Sequence, residues 1–328
     1  MENITLKKIS EVLGVSISTV SRALKNHPDI SANTINKVKE LANTLDYEPN
    51  ANAISLRTQN SKVFGLMIPS ASNSFYGSFL SSLENESREN GYSLMIMQSH
   101  DNPDVEKDIL KFFRKNRVTG VFACLSPGTK DFEMYKKLSE AEIPVVFFDK
   151  VDEDHPYKVC VSDYQAAKIA VETLINKGKK NILAIFGNKK ISITKARLIA
   201  FEETIKLYKN IRADVVFAEN HNHSLEITKD YYSKKKKPDA LFCMSDEILM
   251  GSIKAFQHLK INYPDDTGVI SISDGYYPKL FYPEITYVET SGEKLGKLAA
   301  DFMMSIIKKE TVSKNQMIEA VLVEGGSI

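Results

Sequence analysis

From Val63 onward, short apolar runs alternate with amphipathic segments of helix length, and this alternation restricts the fold more than any other feature of the chain. Strands of a parallel sheet are buried on both faces, so they are apolar throughout, and each needs a long crossover before the next strand. The segments between the runs have the apolar spacing of helices. The pattern therefore predicts an α/β region of doubly wound parallel sheets with helices on both faces.

The same pattern gives the expected elements. Strands are predicted at Val63–Pro69, Ser93–Gln98, Val121–Leu125, Val145–Asp149, Asn181–Phe186, Asp214–Ala218, Ala240–Met244, Gly268–Ile272 and Gln316–Val323. Predicted helices include Phe75–Asn90, Pro103–Lys115, Asp163–Lys177, Asp246–Leu259 and Glu293–Lys308. One large sheet would fit this pattern. The polar stretch Lys150–Val159, which contains Pro156, interrupts the run and favours two lobes.

Residues 5–24 have a different character and predict two short helices joined by a tight turn at Gly14, where the backbone commonly requires a positive φ. Ser16 is placed to cap the second helix. The apolar positions that would pack the helices together are Leu6, Ile9, Leu13, Val15, Val20 and Leu24. This is the helix-turn-helix plan, whose second helix enters the DNA major groove. An ordinary helical hairpin is the alternative.

The segment that follows extends this small helical region. Ser31 is expected to cap a third helix ending near Leu45, and Tyr47-Glu-Pro49 to stop it. Residues 50–57 could form two helical turns, which are too short to be stable alone. Residues 58–61 are a polar linker, so we expect a headpiece joined to the α/β region by a hinge.

Charge and cysteine content limit the possible partners and compartment. The net charge is +1, and acidic and basic side chains nearly balance within residues 1–60. Any DNA contact must therefore come from placed donors rather than bulk charge. Cys124, Cys160 and Cys243 lie far apart in apolar runs, which predicts reduced thiols. A secretion signal and an apolar run of membrane length are both missing, so we expect a cytoplasmic protein.

The motifs resemble those of the LacI/GalR-type bacterial transcription repressors over essentially the whole chain. The residues that carry the likeness are Leu6–Ser16 with Thr19–Arg22, Ile30-Ser31 with Val38, Leu45–Tyr47 with Pro49–Ala51, Ser55–Arg57, Phe64–Pro69, Ser72-Asn73 with Phe75-Tyr76, Gly120-Val121, Val145–Asp149, and Arg197-Leu198 with Phe201. The joined signature, a helix-turn-helix followed by Tyr-x-Pro-Asn-Ala and Ser-Leu-Arg, is highly specific.

The resemblance implies a small all-α helix-turn-helix headpiece and an α/β core of two doubly wound parallel-sheet lobes, similar to periplasmic sugar-binding proteins. The implied regions are 1–49 for the headpiece, 50–61 for the hinge helix and linker, 62–161 with 292–323 for the first lobe, and 162–291 for the second. It also implies a homodimer, or a tetramer, that binds a pseudo-palindromic operator in double-stranded DNA.

The resemblance also assigns the DNA contacts. Base edges would be contacted by Ile17, Ser18 and Arg22, of which Arg22 can donate two parallel hydrogen bonds to guanine. The DNA backbone would be contacted by Ser16, Thr19, Ser21, Ser31 and Asn50, although each Ser or Thr could equally be a cap or a solvated side chain. The hinge would enter the minor groove with Ala53, Leu56 and Arg57, Leu56 wedging between base pairs. Packing of Leu56 on the core is the alternative.

A small-molecule effector would bind between the lobes, at the carboxyl ends of the strands. Candidates from the first lobe are Ser70, Asn73, Phe75, Tyr76, Ser126 and Asp149. Candidates from the second lobe are Arg197, Ser245, Asp246, Ser273 and Asp274. A guanidinium fork with carboxylates and an aromatic ring suits a sugar or sugar derivative. Asp246 could instead only cap a helix, and Asp149 a strand end.

Departures from the family pattern prevent transfer of the ligand's identity. Many members have Gly, an aromatic residue, Asp and then Asp or Asn where this chain has Ser271-Ile-Ser-Asp274. The usual Asn-Asp is replaced by Ser245-Asp246, and a glycine by Ala200. The sequence also does not say whether the effector releases or promotes DNA binding.

Other signals are weak. His221 and His223 have metal-like spacing without further ligands, so a surface loop is expected there. Lys234–Lys237 is expected to be a solvated helix end. We find no catalytic motif and predict no cofactor and no metal. The alternatives to a repressor are a cytosolic or transport-type sugar-binding protein, and an α/β enzyme core with a DNA tether, in which Asp149 and Asp246 would be the paired carboxylates.

Overall fold

The computed structural model describes residues 5–47, 61–151 and 157–328, and the chain forms two compact units, Met1–Ser61 and Lys62–Ile328. The predictions for Asn50, Ala53, Leu56 and Arg57 lie outside the described residues. Among those that are described, no helix has both the length and the apolar character of a membrane span.

The first unit contains three helices, α1 (Leu6–Leu13), α2 (Ile17–Leu24) and α3 (Ala32–Thr44). Gly14 ends α1 with φ +61°, as the helix-turn-helix pattern predicts. The hydroxyl groups of Ser16 and Ser31 accept hydrogen bonds from the Thr19 and Thr34 amides, at 3.1 and 3.3 Å. Each serine therefore caps a helix, because it satisfies an amide that has no partner within the helix.

A small apolar core holds the three helices together. Its buried side chains are Ile9, Val20, Ala23, Val38 and Ala42, surrounded by half-buried residues that include Leu6, Leu13, Val15 and Leu24. These are the positions at which the sequence predicts helix packing. Burying the inner face leaves the opposite face of α2 exposed, with Ile17 47% accessible.

The second unit alternates strands and helices along the chain. Its strands are β1 (Val63–Ile68), β2 (Ser93–Gln98), β3 (Gly120–Ala123), β4 (Val145–Phe148), β5 (Lys158–Val161), β6 (Asn181–Phe186), β7 (Arg212–Phe217), β8 (Ala240–Cys243), β9 (Gly268–Ser273), β10 (Thr286–Glu289), β11 (Asn315–Ile318) and β12 (Val321–Val323). Its helices are α4 (Ser74–Glu89), α5 (Pro103–Lys115), α6 (Glu133–Glu140), α7 (Asp163–Asn176), α8 (Ser192–Lys206), α9 (His221–Tyr232), α10 (Asp246–Leu259) and α11 (Gly292–Ile307), with a short 3₁₀ turn at Pro278–Leu280.

The strands form two six-stranded sheets rather than one large sheet. The first has the order β11-β5-β4-β3-β1-β2 and is parallel throughout. The second has the order β12-β10-β9-β8-β6-β7, and only its edge strand β12 is antiparallel. The prediction of two doubly wound lobes is therefore confirmed. The chain passes between the sheets after β5, after β10 and after β11.

Two strand predictions are wrong in detail. Gln316–Val323 is predicted as one strand, but it divides into β11, which pairs with β5, and β12, which pairs with β10 of the other sheet. A run of apolar residues shows that a segment is extended but not where it changes partner. The polar stretch Lys150–Val159 also ends inside strand β5, whose four residues are too few to produce a clear apolar pattern.

The segment from His221 is not a surface loop, as the sequence analysis expects, but the exposed first turn of α9. The Asn220 side chain accepts a hydrogen bond from the His223 amide at 3.0 Å and caps this helix. Lys234–Lys237 is exposed just after the helix, as expected. The three cysteines are free, with Cys124 and Cys243 buried and Cys160 partly buried.

Close contact between α4 and α11 in the first lobe yields a testable prediction. A Cβ added at Gly296 would lie 2.5 Å from the Phe79 carbonyl oxygen and 3.0 Å from Ser82 Cβ. We expect Gly296→Ala to lower the free energy of unfolding by about 1–3 kcal/mol, because the helices must move apart. Urea denaturation measures this change.

Gly77, on α4, provides the matched control, because a Cβ there would meet nothing within 4 Å. Gly77→Ala should be neutral or stabilising by up to ~1 kcal/mol, since alanine favours the helix. Equal losses in the two variants would contradict the assigned helix contact.

Candidate functional site

The exposed face of α2 displays the side chains predicted to contact DNA bases. Ile17, Ser18 and Arg22 are all exposed, while Val20 and Ala23 on the opposite face are buried. The Arg22 guanidinium lies 4.0 Å from the Asp29 carboxylate, and both side chains are more than half exposed. Such a pair is weak in water, so the guanidinium is available to another acceptor.

Ser16, Thr19 and Ser18 form a small hydroxyl cluster at the start of α2. The Ser16 and Ser18 hydroxyls are 2.7 Å apart, and those of Ser16 and Thr19 are 2.8 Å apart. Ser31 is similarly engaged with Thr34 at the start of α3. The two capping serines place helix amino termini at the surface, where free amides and the helix dipole favour anions.

In the second unit, the candidate effector residues follow the carboxyl ends of strands in both sheets. Asp149 comes directly after β4 and has a φ of +62°, a conformation that is costly for a residue with a Cβ. Its carboxylate accepts a hydrogen bond from the Tyr76 hydroxyl at 2.6 Å. Burial and the nearby Asp149 charge raise the pKa of Tyr76 well above its usual value, so the hydroxyl remains a donor. The side chain of Asp149 therefore does more than cap a strand end.

Arg197, on α8, is buried with only 7% of its surface exposed. Its Nε donates to Asp163 Oδ1 at 2.8 Å, its Nη2 lies 2.6 Å from the same oxygen, and its Nη1 donates to the Met244 carbonyl. Burial raises the pKa of Asp163, and the charge of Arg197 offsets part of that rise. These contacts engage three of the five guanidinium N–H groups within the described part of the chain, which leaves two for a ligand.

Asp246, Ser273 and Asp274 are brought together at the ends of β8 and β9. The Ser273 hydroxyl donates to Asp246 at 2.5 Å, and the Asp274 amide donates to Asp246 at 3.3 Å. Asp246 is the first residue of α10 and makes these contacts across the sheet edge, so its role is not limited to capping that helix. The Asp274 carboxylate accepts from Ser78 of α4 at 2.8 Å and from the Gly292 amide at 2.7 Å, which joins the two lobes.

The remaining candidates are engaged more locally. Ser70 bonds to Ser72, and Asn73 caps α4 by accepting from the Phe75 amide at 3.0 Å. Phe75 contacts Tyr76 edge-on, with 5.4 Å between ring centroids. Two further candidates are Ser126, which is buried, and Ser245, which precedes α10 without capping it through its side chain.

Two important carboxylates are missed by sequence reasoning. Asp163 is the buried partner of Arg197, and nothing in the sequence pairs the two residues. Glu106 is 2% exposed and accepts hydrogen bonds from the Ser126 amide and the Thr129 and Tyr135 hydroxyls, at 2.8–3.0 Å. A signal for Glu106 was present, because it shares the helix face of the apolar Leu110 and Phe113. Glu106 thereby holds the loop after β3 in place.

Asp246 leads to a pH prediction. Burial raises its pKa to about 6, above the ordinary value of ~3.9. A carboxyl with a raised pKa in the folded state retains its proton there after losing it in the unfolded chain, so its contribution to stability declines as pH rises from about 4 to 6. We expect Asp246→Asn to gain about 2–3 kcal/mol relative to the unmodified protein between pH 4 and 7.

Urea denaturation at a series of pH values measures this difference. Glu247→Gln is the control, because Glu247 is exposed on the same helical turn and its difference from the unmodified protein should stay flat. If the Asp246→Asn curve runs parallel to that of the unmodified protein, Asp246 does not titrate in this range.

Comparisons with known proteins agree with this architecture. Residues 5–50 match the bacterial regulatory proteins of the lacI family, and residues 171–328 match a periplasmic binding protein-like domain. The HTH-type transcriptional regulator RegA of Clostridium acetobutylicum is 31% identical over 319 residues, which are 93% of this chain and 93% of that protein. The chain belongs to the LacI family of bacterial regulatory proteins.

Two further comparisons extend over the full length. RegA of Clostridium saccharobutylicum is 28% identical to this LacI-family chain over 327 residues, 98% of each protein. The structure of the Lac repressor dimer bound to operator and an anti-inducer superposes with a TM-score of 0.89 at 20% identity, covering 99% of both chains. The resemblance inferred from sequence is thus confirmed, and this LacI-family protein is a transcription regulator rather than an enzyme.

Proposed function

We propose that this LacI-family protein is a repressor that binds a pseudo-palindromic operator as a homodimer and releases or tightens its grip when a carbohydrate effector binds between the core lobes. The DNA-binding part would be residues 1–49, with 50–61 as the hinge. The first lobe would comprise 62–161 with 292–323, except for β12, and the second lobe 162–291. The site of action would be the cytoplasm.

The exposed face of α2 supports the proposed base contacts. Arg22 would donate two hydrogen bonds to a guanine, Ser18 would donate or accept, and Ile17 would contact a thymine methyl group. Each good bidentate contact discriminates by ~1–3 kcal/mol. The near balance of charge in residues 1–60 makes such placed contacts more important than general attraction to DNA.

Contacts with the DNA backbone would set the register of the headpiece. The proposed residues are Ser16, Thr19, Ser21, Ser31 and Asn50. In the hinge, Leu56 would wedge into the minor groove beside Ala53 and Arg57, bending the duplex so that both headpieces reach their half-sites.

The observation that carries the effector proposal is the buried Arg197, held by Asp163 and the Met244 carbonyl with two donors remaining. Asp149 and Asp246 would accept hydrogen bonds from ligand hydroxyls, and Phe75 or Tyr76 would stack on a sugar ring. Donor fork, carboxylates and aromatic ring together fit a polyol. Among solved relatives of this fold, one is a CelR–cellobiose complex, with a TM-score of 0.71 at 20% identity.

Asp274 supports a route for signalling. It accepts hydrogen bonds from Ser78 of the first lobe and from Gly292, at the start of the helix that leads back to that lobe. Its neighbour Ser273 bonds to Asp246, a proposed ligand contact. An effector that engages Asp246 would therefore bias the lobe arrangement, with a coupling of ~1–3 kcal/mol in typical allosteric proteins.

Selection of duplexes from a random pool tests the proposed function. The full-length protein should enrich a palindromic sequence, and addition of one member of a carbohydrate panel should change the affinity for that sequence by about 5–150-fold. Salt is held constant, because affinity for DNA depends steeply on it. No enrichment over random duplex, with or without carbohydrates, would overturn the proposal.

A further inference from the structure

A small cavity lies between the lobes beside the proposed effector site. Its volume is ≈ 90 Å³, several times the roughly 10–15 Å³ that one water needs, yet below the size of a pocket for a whole drug-like ligand. The first lobe contributes the loop 125–129, Phe132 and Lys150, and the second lobe contributes residues 190–192. A group of several atoms, attached to a larger ligand, fits this space.

The charged side chains that line the cavity are both cationic. Lys150 directly follows the proposed ligand contact Asp149, and Lys190 precedes α8, the helix that carries Arg197. Lys190 is exposed and makes no ion pair within the described residues. Lys150 is paired with Asp101, its Nζ lying 2.8 and 3.0 Å from the two carboxylate oxygens. No carboxylate lines the cavity among residues of the described ranges.

The amino terminus of α8 supplies uncharged donors. This 15-residue helix begins at Ser192, on the cavity wall, and no described side chain caps it. Its first amides have no partner within the helix, and the helix dipole favours negative charge at this end.

An unpartnered hydroxyl marks the opposite wall. Ser126 lines the cavity, is 3% exposed, and its Oγ has no hydrogen-bond partner in the described part of the chain. A buried hydroxyl without a partner is unusual, because the lost hydrogen bond with water costs about 1–3 kcal/mol. Glu106 fixes the loop of Ser126 by accepting from its backbone amide at 2.8 Å, so the hydroxyl is held in place for an added acceptor.

We propose that this cavity binds a phosphate group and that the effector is therefore a phosphorylated sugar. Lys190, the α8 amides and the Ser126 hydroxyl would donate to the phosphate oxygens, and Lys150 would add charge while remaining paired with Asp101. The sugar ring would extend toward Asp149 and Arg197. The inference rests on the proposed effector function, because it concerns the same cleft.

Calorimetric titration of the full-length protein with inorganic phosphate, at constant ionic strength, tests the cavity. Lys190→Gln should weaken phosphate binding by about tenfold or more, because a charge-assisted hydrogen bond is lost. Lys189→Gln is the matched control, since Lys189 stacks 4.0 Å from the Phe217 ring centroid and does not line the cavity. Asp101→Asn should tighten phosphate binding, because it frees Lys150.

Unsaturable phosphate binding, or equal weakening by the two lysine variants, would overturn the proposal. Glucose 6-phosphate against glucose then tests the ligand class: the phosphorylated sugar should bind about tenfold more tightly, and this preference should disappear in Lys190→Gln. Equal affinities for the two sugars would overturn the inferred class.

The duplex selection separates this inference from the proposed function, because it contains no phosphate ligand. Enrichment of a palindrome together with absent phosphate binding defeats the phosphate inference alone. Failure of enrichment defeats the proposed function, whatever the calorimetry shows.

Discussion

Arg197→Ala is expected to lower the free energy of unfolding by about 3–5 kcal/mol, even without a ligand. The reason is that Asp163 is buried with Arg197, and removing the guanidinium leaves its carboxylate uncompensated in the interior. The Met244 carbonyl also loses a donor. We also expect the effector response to disappear while DNA binding at low temperature remains. Urea denaturation and operator titration measure the two effects.

A second substitution separates the charge effect from loss of packing. Arg197→Ala combined with Asp163→Asn should recover ~1 kcal/mol or more, because the orphaned group is then neutral. Arg212→Ala serves as the control, since Arg212 is 66% exposed and lies 3.9 Å from Asp214, a pair worth less than ~1 kcal/mol. Strict additivity of the Arg197 and Asp163 substitutions would show that the ion pair is not the cause.

Arg22→Ala should weaken binding to the selected operator by about 2–6 kcal/mol, because a dimer would lose a bidentate guanine contact of ~1–3 kcal/mol in each half-site. Binding to random duplex should change little, since only one charge per headpiece is removed. Fluorescence anisotropy on both duplexes at one salt concentration measures the ratio. Stability should stay unchanged, because Arg22 is exposed.

Lys25→Ala is the matched control for base contact, because Lys25 is exposed at the end of the same helix. It should reduce affinity for both duplexes to a similar, small extent. If Arg22→Ala behaves in the same way, Arg22 contributes charge and not sequence discrimination.

The architecture could be predicted from sequence because its determinants are local. Helix α5 and strand β6 have the predicted bounds, since Pro103 and the apolar run of β6 mark them within a few residues. Strands β10 and β5, of four residues each, leave too short a pattern. The division of Gln316–Val323 between two sheets depends on distant partners, which no local pattern contains.

The site was predicted less completely for the same reason. Tyr76, Asp149, Arg197 and Asp246 follow from strand ends and family motifs. Their partners do not: Asp163 is 34 residues from Arg197 in the chain, and Ser78 is 196 residues from Asp274. Only the folded topology reveals which carboxylates are neutralised and which hydroxyl, such as that of Ser126, is left over.

The triple passage of the chain between the sheets has a consequence for biosynthesis. Helix α11 and strand β11 complete the first lobe only after the whole second lobe has been translated, and β12 reaches the second sheet last of all. Neither half can close its apolar interior as it leaves the ribosome, so Phe79 and Phe148 would wait, uncovered, for their late neighbours. Nascent chains of this regulator should therefore be good clients for chaperones until the final strands arrive.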